Sequence, residues 1–503
     1  MSTKTKPNAP IERPPVIAVM GHIDHGKSTL LDHIRKTNIV DKEAGGITQH
    51  IAAYEVTHLH NGTQKKITFI DTPGHEAFAA VRSRGANIAD IAILVVSAED
   101  GVKPQTLEAL KFIKQSETPF VVALTKIDKQ TADVDRARQS LAENEIYVEG
   151  YGGDIPCVAV SAKTGQGIPE LLDMLTIMAE LEELTGDATL PAEGFVVEAT
   201  LDMKKGVAAT LIIKNGSLKS GMAIVAGHAL VPVRIMEDFL GNKISGASFS
   251  SPVRLIGWSE VPPTGSPFVT LPSKRDAEKF IEDKEQPKQK EREPKNENLE
   301  ESTVVIPIVI KADTVGSIEA IQHELKKMTI ERVRTKIVHT GVGDISEGDI
   351  KAAAGVENPL IVGFNVNVDS RLGQLPERIG AEIKTFDIIY RLTEWLTETL
   401  SARAPKITVE EFKAQLKVLK TFSRNKNTQV IGGKVEKGTL SSGDKVRIHR
   451  RESIIGDALI KELQHMKDKV REVEEGKECG LLVESKMEIM PGDRLEAFMF
   501  VER

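Results

Sequence analysis

The stretch Gly21-His22-Ile23-Asp24-His25-Gly26-Lys27-Ser28 constrains the fold of this chain more than any other part of it. It follows an apolar run, Val16 to Met20, and precedes the periodic Leu30-Leu31-Asp32-His33-Ile34. That order reads as strand, glycine-bounded loop and helix start, the context that gives a GxxxxGK[ST] pattern its meaning. Gly21 and Gly26 permit a tight turn whose backbone N–H groups wrap nucleotide phosphates, and the helix N-terminus adds a favourable dipole. Lys27 is placed to pair with the β- and γ-phosphates and Ser28 to ligate Mg²⁺. An empty glycine turn would bury the Lys27 charge with no anion, which is costly. Nor do His22 and His25 read as a metal pair, because a wrapped loop leaves few side chains converging on one ion.

Each later cluster also sits at a strand end. Asp41 to His50 is a polar, glycine-containing loop, and Thr48 within it can offer a hydroxyl to Mg²⁺ when a γ-phosphate is present. The strand Ile67 to Ile70 runs into Asp71-Thr72-Pro73-Gly74-His75. Asp71 is expected to hold Mg²⁺ through water, and Gly74 to turn its N–H toward a γ-phosphate. Ile91 to Val96 is apolar throughout, as a parallel strand covered on both faces must be, and a helix is expected over Pro104 to Gln115. Phe120 to Leu124 leads to Thr125-Lys126-Ile127-Asp128, and Val158 to Val160 leads to Ser161-Ala162-Lys163. A carboxylate at Asp128 can accept from both the ring N–H and the amine of guanine, and adenine offers no such donor pair on that edge. Lys126 can cover the base plane and the Ala162 N–H can meet the guanine carbonyl. The ligand expected is GTP with Mg²⁺.

The wording of these clusters resembles the translational GTPases, and Glu43-Ala-Gly-Gly-Ile-Thr-Gln-His with Asp71-Thr-Pro-Gly-His is most similar to the bacterial translation initiation factor 2 family. Lys311-Ala-Asp-Thr-Val-Gly-Ser, Gly341-Val-Gly-Asp-Ile and Gly363-Phe-Asn-Val extend the resemblance to roughly residues 14–503. It implies a ribosome-dependent GTPase that binds initiator formylmethionyl-tRNA, positions it on the small ribosomal subunit and promotes subunit joining. His75 would orient the attacking water. A pocket for the tRNA acceptor end would lie at Gly433, His465, Glu478, Cys479 and Gly480. The chain departs from the family's pattern in three places: Thr125 stands for Asn, Gly433 for a second Cys, and Gln464-His465-Met466 for a Lys-Arg-Tyr run. Its alternative function is a guanine-nucleotide switch in ribosome assembly or regulation that does not bind initiator tRNA.

The fold class expected is multidomain α/β plus β-barrels. Residues 1–13 read as a disordered tail and 14–186 as a P-loop GTPase domain. Short alternating strands at 187–272 read as an antiparallel β-barrel. Residues 273–302, dense in charge, read as a solvated helix followed by a linker. A second α/β unit is expected over 303–386. It lacks the GxxxxGK pattern at Asp313-Thr-Val-Gly316-Ser, so no second nucleotide site is expected there. A connecting helix at 387–404 carries Ile388, Leu392, Trp395, Leu396 and Leu400 on one stripe. Residues 405–503 read as a second barrel, because Lys214-Asn-Gly216-Ser-Leu218-Lys-Ser-Gly221 matches Glu436-Lys-Gly438-Thr-Leu440-Ser-Ser-Gly443 at an offset of 222 residues.

A net charge of −7 over 503 residues is mild and excludes a polybasic tail protein. Only Cys157 and Cys479 occur, so no disulfide is expected and a reducing compartment is. Met1 to Pro15 has no apolar segment, and no run reaches membrane-spanning length. A cytoplasmic monomer without membrane contact is expected.

Overall fold

The computed structural model describes residues 11–36, 48–202, 205–284, 304–405, 408–451, 453–466 and 468–502. The first ten residues, the glycine-containing part of the loop before Thr48 and the second half of the charged segment lie outside them. The described chain divides into two compact units, residues 1–404 and 405–503.

Ile11 and Glu12 pair with Gly186 and Thr185, and Arg13 pairs with Asp90 at 2.7 Å, so the expected disordered tail of 1–13 is ordered over 11–13. The first unit then runs through β1 (Val16–Gly21), α1 (Lys27–Arg35), β2 (Ala52–His60), β3 (Thr63–Asp71), α2 (Ala79–Ile88) and β4 (Ile91–Ser97). It continues with α3 (Pro104–Gln115), β5 (Phe120–Thr125), α4 (Val134–Glu143), β6 (Cys157–Ala159) and α5 (Ile168–Leu181). The sheet order is β2-β3-β1-β4-β5-β6, parallel except for the β2–β3 hairpin. Along β1 the side chains alternate. Ile17 and Val19 join a core with α1 and α5, and Ala18 and Met20 join one with α3 and α4. Both faces of β1 are therefore covered, which is why its sequence is apolar without interruption. The strands Val16–Gly21, Thr63–Asp71 and Phe120–Thr125 all deliver their last residue to the same edge of the sheet.

Next, seven antiparallel strands between Glu193 and Leu271 wrap a core of Val196, Leu211, Ile224, Val231, Val253 and Phe268. The charged helix Lys274–Lys284 forms, but it is not merely solvated. Ala277 is buried, and Phe280 and Ile281 pack on Ala223, Val225 and Leu230 of this sheet. A four-stranded parallel sheet follows, ordered 333–342, 304–312, 360–364 and 382–386, with helices Val315–Lys327 and Glu347–Ala353 in its crossovers.

The helix Ile389–Ala402 buries Ile389, Leu392, Leu396 and Leu400. The apolar stripe is thus led by Ile389; Ile388 only precedes the first turn. One core cluster contains this stripe together with Val16, Ile70 and Phe78 of the first sheet's domain and Val197 of the seven-stranded sheet.

The second unit closes on itself. Six of its strands run in the order 445–450, 494–502, 408–425, 428–438, 478–485 and 453–465, the last of them pairs back onto the first, and the short strand 468–470 adds to 453–465. The repeat seen in sequence is also a repeat in geometry. Gly216 and Gly438 have φ of 80° and 73°, Gly221 and Gly443 both have φ of 95°, and strands 206–215 and 428–438 occupy corresponding places 222 residues apart.

Candidate functional site

The loop between β1 and α1 is held by three kinds of contact. Gly26 takes φ of 85°, a left-handed value that glycine adopts at no steric cost, and α1 begins directly after it. Gly21 stands against the Val95 carbonyl so closely that a Cβ could not be accommodated. Lys27 is buried, and its Nζ donates to the carbonyls of Gly21 at 2.9 Å and His22 at 2.5 Å. Burial pulls its pKa down to about 8, against the opposing charge of Asp71.

The neighbouring loops converge on this lysine. Ser28 Oγ and Thr48 Oγ1 lie 2.7 Å apart. Gly74 passes over Lys27 so closely that a Cβ there would sit 2.5 Å from Nζ. Asp71 is buried at the end of β3, and the Thr72 hydroxyl donates to the Val19 carbonyl at 2.7 Å. A cavity of about 390 Å³ results, lined by Ile23, Asp24, Gly26, Lys27, Ser28, Thr48, Gly74, His75, Thr125, Lys126, Asp128, Ala162 and Lys163 among others.

At the far end Ser161 Oγ donates to Asp128 Oδ1 at 2.7 Å, and that bond holds the carboxylate below its ordinary range. Lys126 takes a left-handed φ of 62°, and its ammonium lies 3.8 Å from Glu99 and 3.9 Å from Asp100. Thr125 Oγ1 donates to the His25 carbonyl at 2.5 Å and to the Val96 carbonyl at 3.3 Å. The short hydroxyl thus ties β5 to the phosphate loop. His25 is itself buried, its Nδ1 accepts from the Ser97 N–H at 3.3 Å, and burial pushes its pKa down to about 3. A neutral ring in the loop wall leaves the cavity's positive charge to the lysines.

Three supporting residues have contacts that no motif announces. Arg82, on α2, is fully buried and donates to the carbonyls of Pro73 at 3.1 Å and of His75, while pairing with Glu108 at 2.7 Å. Gln105 accepts from the Ile23 N–H at 3.0 Å. Gln49 donates to the Asp387 carbonyl at 2.9 Å and accepts from the Ile389 N–H at 3.2 Å, so it caps the helix 389–402 from outside. His75 is also engaged from that side. Its Nδ1 accepts from the Ala77 N–H at 2.9 Å and its ring packs 4.3 Å from the Tyr390 ring, while burial lowers its pKa.

Residues 12–180 match the model of the elongation factor Tu GTP binding domain, 191–271 that of elongation factor G domain 2, and 281–397 that of translation-initiation factor 2. The translation initiation factor IF-2 of Halothermothrix orenii is 42% identical over 99% of this chain and 74% of its own length. That of Nitratiruptor sp. is 42% identical over 98% of this chain and 59% of its own. The chain belongs to the translation initiation factor IF-2 family. A crystal structure of GDP-bound aIF5B from Aeropyrum pernix aligns with 97% of this chain and 92% of its own at 27% identity, with a TM-score of 0.48.

Membership of the IF-2 family makes the chain a translational GTPase and draws attention to its last barrel. There Gly433 pairs with Cys479, Lys434 with Glu478 and Gln464 with Gly480. His465 Nδ1 lies 2.8 Å from the Glu478 carbonyl. The sequence-predicted residues are therefore neighbours, but they do not share one face. Cys479 points into the barrel core and is 6% exposed, and burial pushes its thiol up to about 11. Gly433 stands under Leu416, where a Cβ would also come within 2.7 Å of the Lys417 carbonyl. A cysteine at this position would require Leu416 to move. Among the described residues, Glu478 and His465 are the polar members of this group on the outside of the strands.

Proposed function

We propose that this chain binds GTP with Mg²⁺, binds initiator formylmethionyl-tRNA, and promotes joining of the ribosomal subunits, hydrolysing GTP when the ribosome completes its site. The observation that carries this reading is the likeness to IF-2 proteins at 42% identity over 98–99% of the chain. A reading restricted to nucleotide binding would leave that length unexplained.

The donor set suits Mg²⁺. Two cis ligands of an octahedral Mg²⁺ at its usual distances lie about 2.9 Å apart, close to the Ser28–Thr48 hydroxyl separation of 2.7 Å. Asp71 supplies a carboxylate for the ion's water shell. When bound, the ion supplies electrostatic stabilisation of the phosphate oxygens. Lys27 holds the β- and γ-phosphates, in exchange for the carbonyls it bonds here, and the loop N–H groups wrap them. Asp128 selects guanine, and Ser161 fixes its carboxylate in a single orientation.

His75 is neutral at pH 7, and the bond at Nδ1 leaves the proton on Nε2. From there it can donate to the oxygen of an attacking water and orient it. Among the described residues the cavity lining has lysines and no arginine, so turnover without the ribosome is slow. Full ribosome-stimulated turnover in His75→Ala would refute this role.

The barrel's outer face favours weighing one other reading, a switch in ribosome assembly that does not hold initiator tRNA. Cys479 is enclosed in the core, and Gln464-His465-Met466 offers neither the arginine nor the tyrosine of the family's pattern for the acceptor end. Binding of the full chain and of residues 405–503 to formylated and unformylated initiator tRNA distinguishes the two. Preference for the formylated form supports initiation, and equally negligible binding leaves only the switch.

A further inference from the structure

The outer hairpin of the first sheet carries a cluster unrelated to the nucleotide. β2 presents His58 and His60 on one face, because strand side chains repeat every two residues. The hairpin turns at Asn61-Gly62, both left-handed at φ of 49° and 77°, so β2 ends with His60 paired to Thr63. That face lies against α5, which offers Asp173. His58 Nε2 lies 2.9 Å and His60 Nδ1 2.6 Å from the same oxygen, Asp173 Oδ1.

We propose that His58, His60 and Asp173 bind a borderline divalent transition-metal ion, Zn²⁺ foremost. One ligand atom of each residue lies within 4.8 Å of the other two, and among the described residues this is a cluster that meets that condition. Ligand atoms on a tetrahedral Zn²⁺ at its usual 2.0–2.1 Å lie roughly 3.3 Å apart, so an ion entering the cluster lengthens the two His–Asp173 separations of 2.9 and 2.6 Å by less than about 1 Å. Two imidazoles favour Zn²⁺, Ni²⁺, Co²⁺ or Cu²⁺ and disfavour Mg²⁺ and Ca²⁺, which prefer oxygen. The side chains of His58 and His60 are 13% and 11% exposed and that of Asp173 is 44% exposed, so the imidazoles are fixed and the ion has an entry. Asn61 Nδ2 lies 3.0 Å from His60 Nε2; with metal on Nδ1 that nitrogen becomes a donor, and the Asn61 amide turns its oxygen toward it. Three protein ligands leave a fourth position for water. A bound ion pins the outer hairpin to α5, at the end of β2 remote from Thr48.

The test uses the metal-free, tag-free full chain loaded with GDP, and Zn²⁺ competed against a chromophoric chelator. One ion per chain is expected, indifferent to added Mg²⁺, and Co²⁺ should give the visible absorption of a four-coordinate site. His58→Ala, His60→Ala and Asp173→Asn should each weaken binding by at least about tenfold, as even outer-shell changes do. Unchanged GDP affinity and circular dichroism confirm that each variant folds, and His58→Gln serves if alanine does not. Absence of Zn²⁺ binding in the parent chain, or equal affinity in the variants, would overturn the site and leave a hydrogen-bonded His–Asp cluster only.

Discussion

Thr125 stands where the family's pattern has Asn, and its hydroxyl braces the loop between β1 and α1. Its hydroxyl reaches the His25 carbonyl because β5 ends directly beneath the phosphate loop. A neutral hydrogen bond of this kind contributes about 1 kcal/mol net. Thr125→Ala should therefore weaken GDP and GTP binding alike by roughly fivefold, as read by a fluorescent-nucleotide titration; an unchanged affinity would mean the loop is held without it. Lys27 makes a second prediction at this scale. In the empty site its pKa is about 8, below the ordinary 10.5, because burial disfavours the charge. Phosphates restore that charge, so binding takes up protons between about pH 8 and pH 10.5, and affinity falls as pH rises through that window. Calorimetry at pH 8.5 in buffers of different ionisation enthalpy should show this uptake. The same sign rule makes the empty fold more stable as pH rises from 8 toward 10.5, since the unfolded chain then holds the extra proton.

Between elements, the buried Arg82 does what no motif announces. It fastens the Asp71-to-His75 loop to α2 and, through Glu108, to α3. Glu108 is partly exposed and is rehydrated when its partner is lost, so the cost is chiefly that of leaving the buried Pro73 carbonyl without its donor, about 1–3 kcal/mol. Arg82→Ala should destabilise the first unit by an amount of that order, read as a lower urea midpoint, and should slow hydrolysis more than it weakens nucleotide binding. A midpoint within error of the parent would contradict it. Sequence pattern could not expose Arg82, since an arginine on a helix is usually solvated and only the fold closes over this one. Elements with strong periodicity were plain: α3 spans Pro104–Gln115 as the proline and apolar spacing predict. The strand 382–386 was not, because at a sheet edge it exposes Glu382, Lys384 and Thr385 and buries no residue fully. The helix 274–284 misled in a similar way, as a few apolar residues among many charges suffice to dock it.

At the scale of the molecule, the two units differ in how they are closed. The second unit holds a barrel in which strand 453–465 pairs back onto 445–450, so six of its strands form a closed ring. We expect residues 405–503 to unfold cooperatively when expressed alone, and residues 1–404 to bind GDP with affinity within about twofold of the full chain, since all the cavity residues lie there. Loss of nucleotide binding on truncation would show that the division is not one of stability.

The sequence by itself determined the glycine-bounded loop between β1 and α1, the place of Asp128 just past a strand end and the repeated barrel turns. Each depends on short-range rules: glycine conformations, residues at strand ends, and fixed spacings along the chain. Only the tertiary structure decided what braces the phosphate loop, that Cys479 is core, that Ile389 and not Ile388 leads its helix's buried stripe, and that His58, His60 and Asp173 meet. These contacts join residues far apart in sequence, where spacing carries no information and packing alone sets the distance. The Gly21–Ser28 loop could thus be read from its residues, whereas the Thr125, Gln105 and Arg82 contacts that hold its surroundings in shape could not.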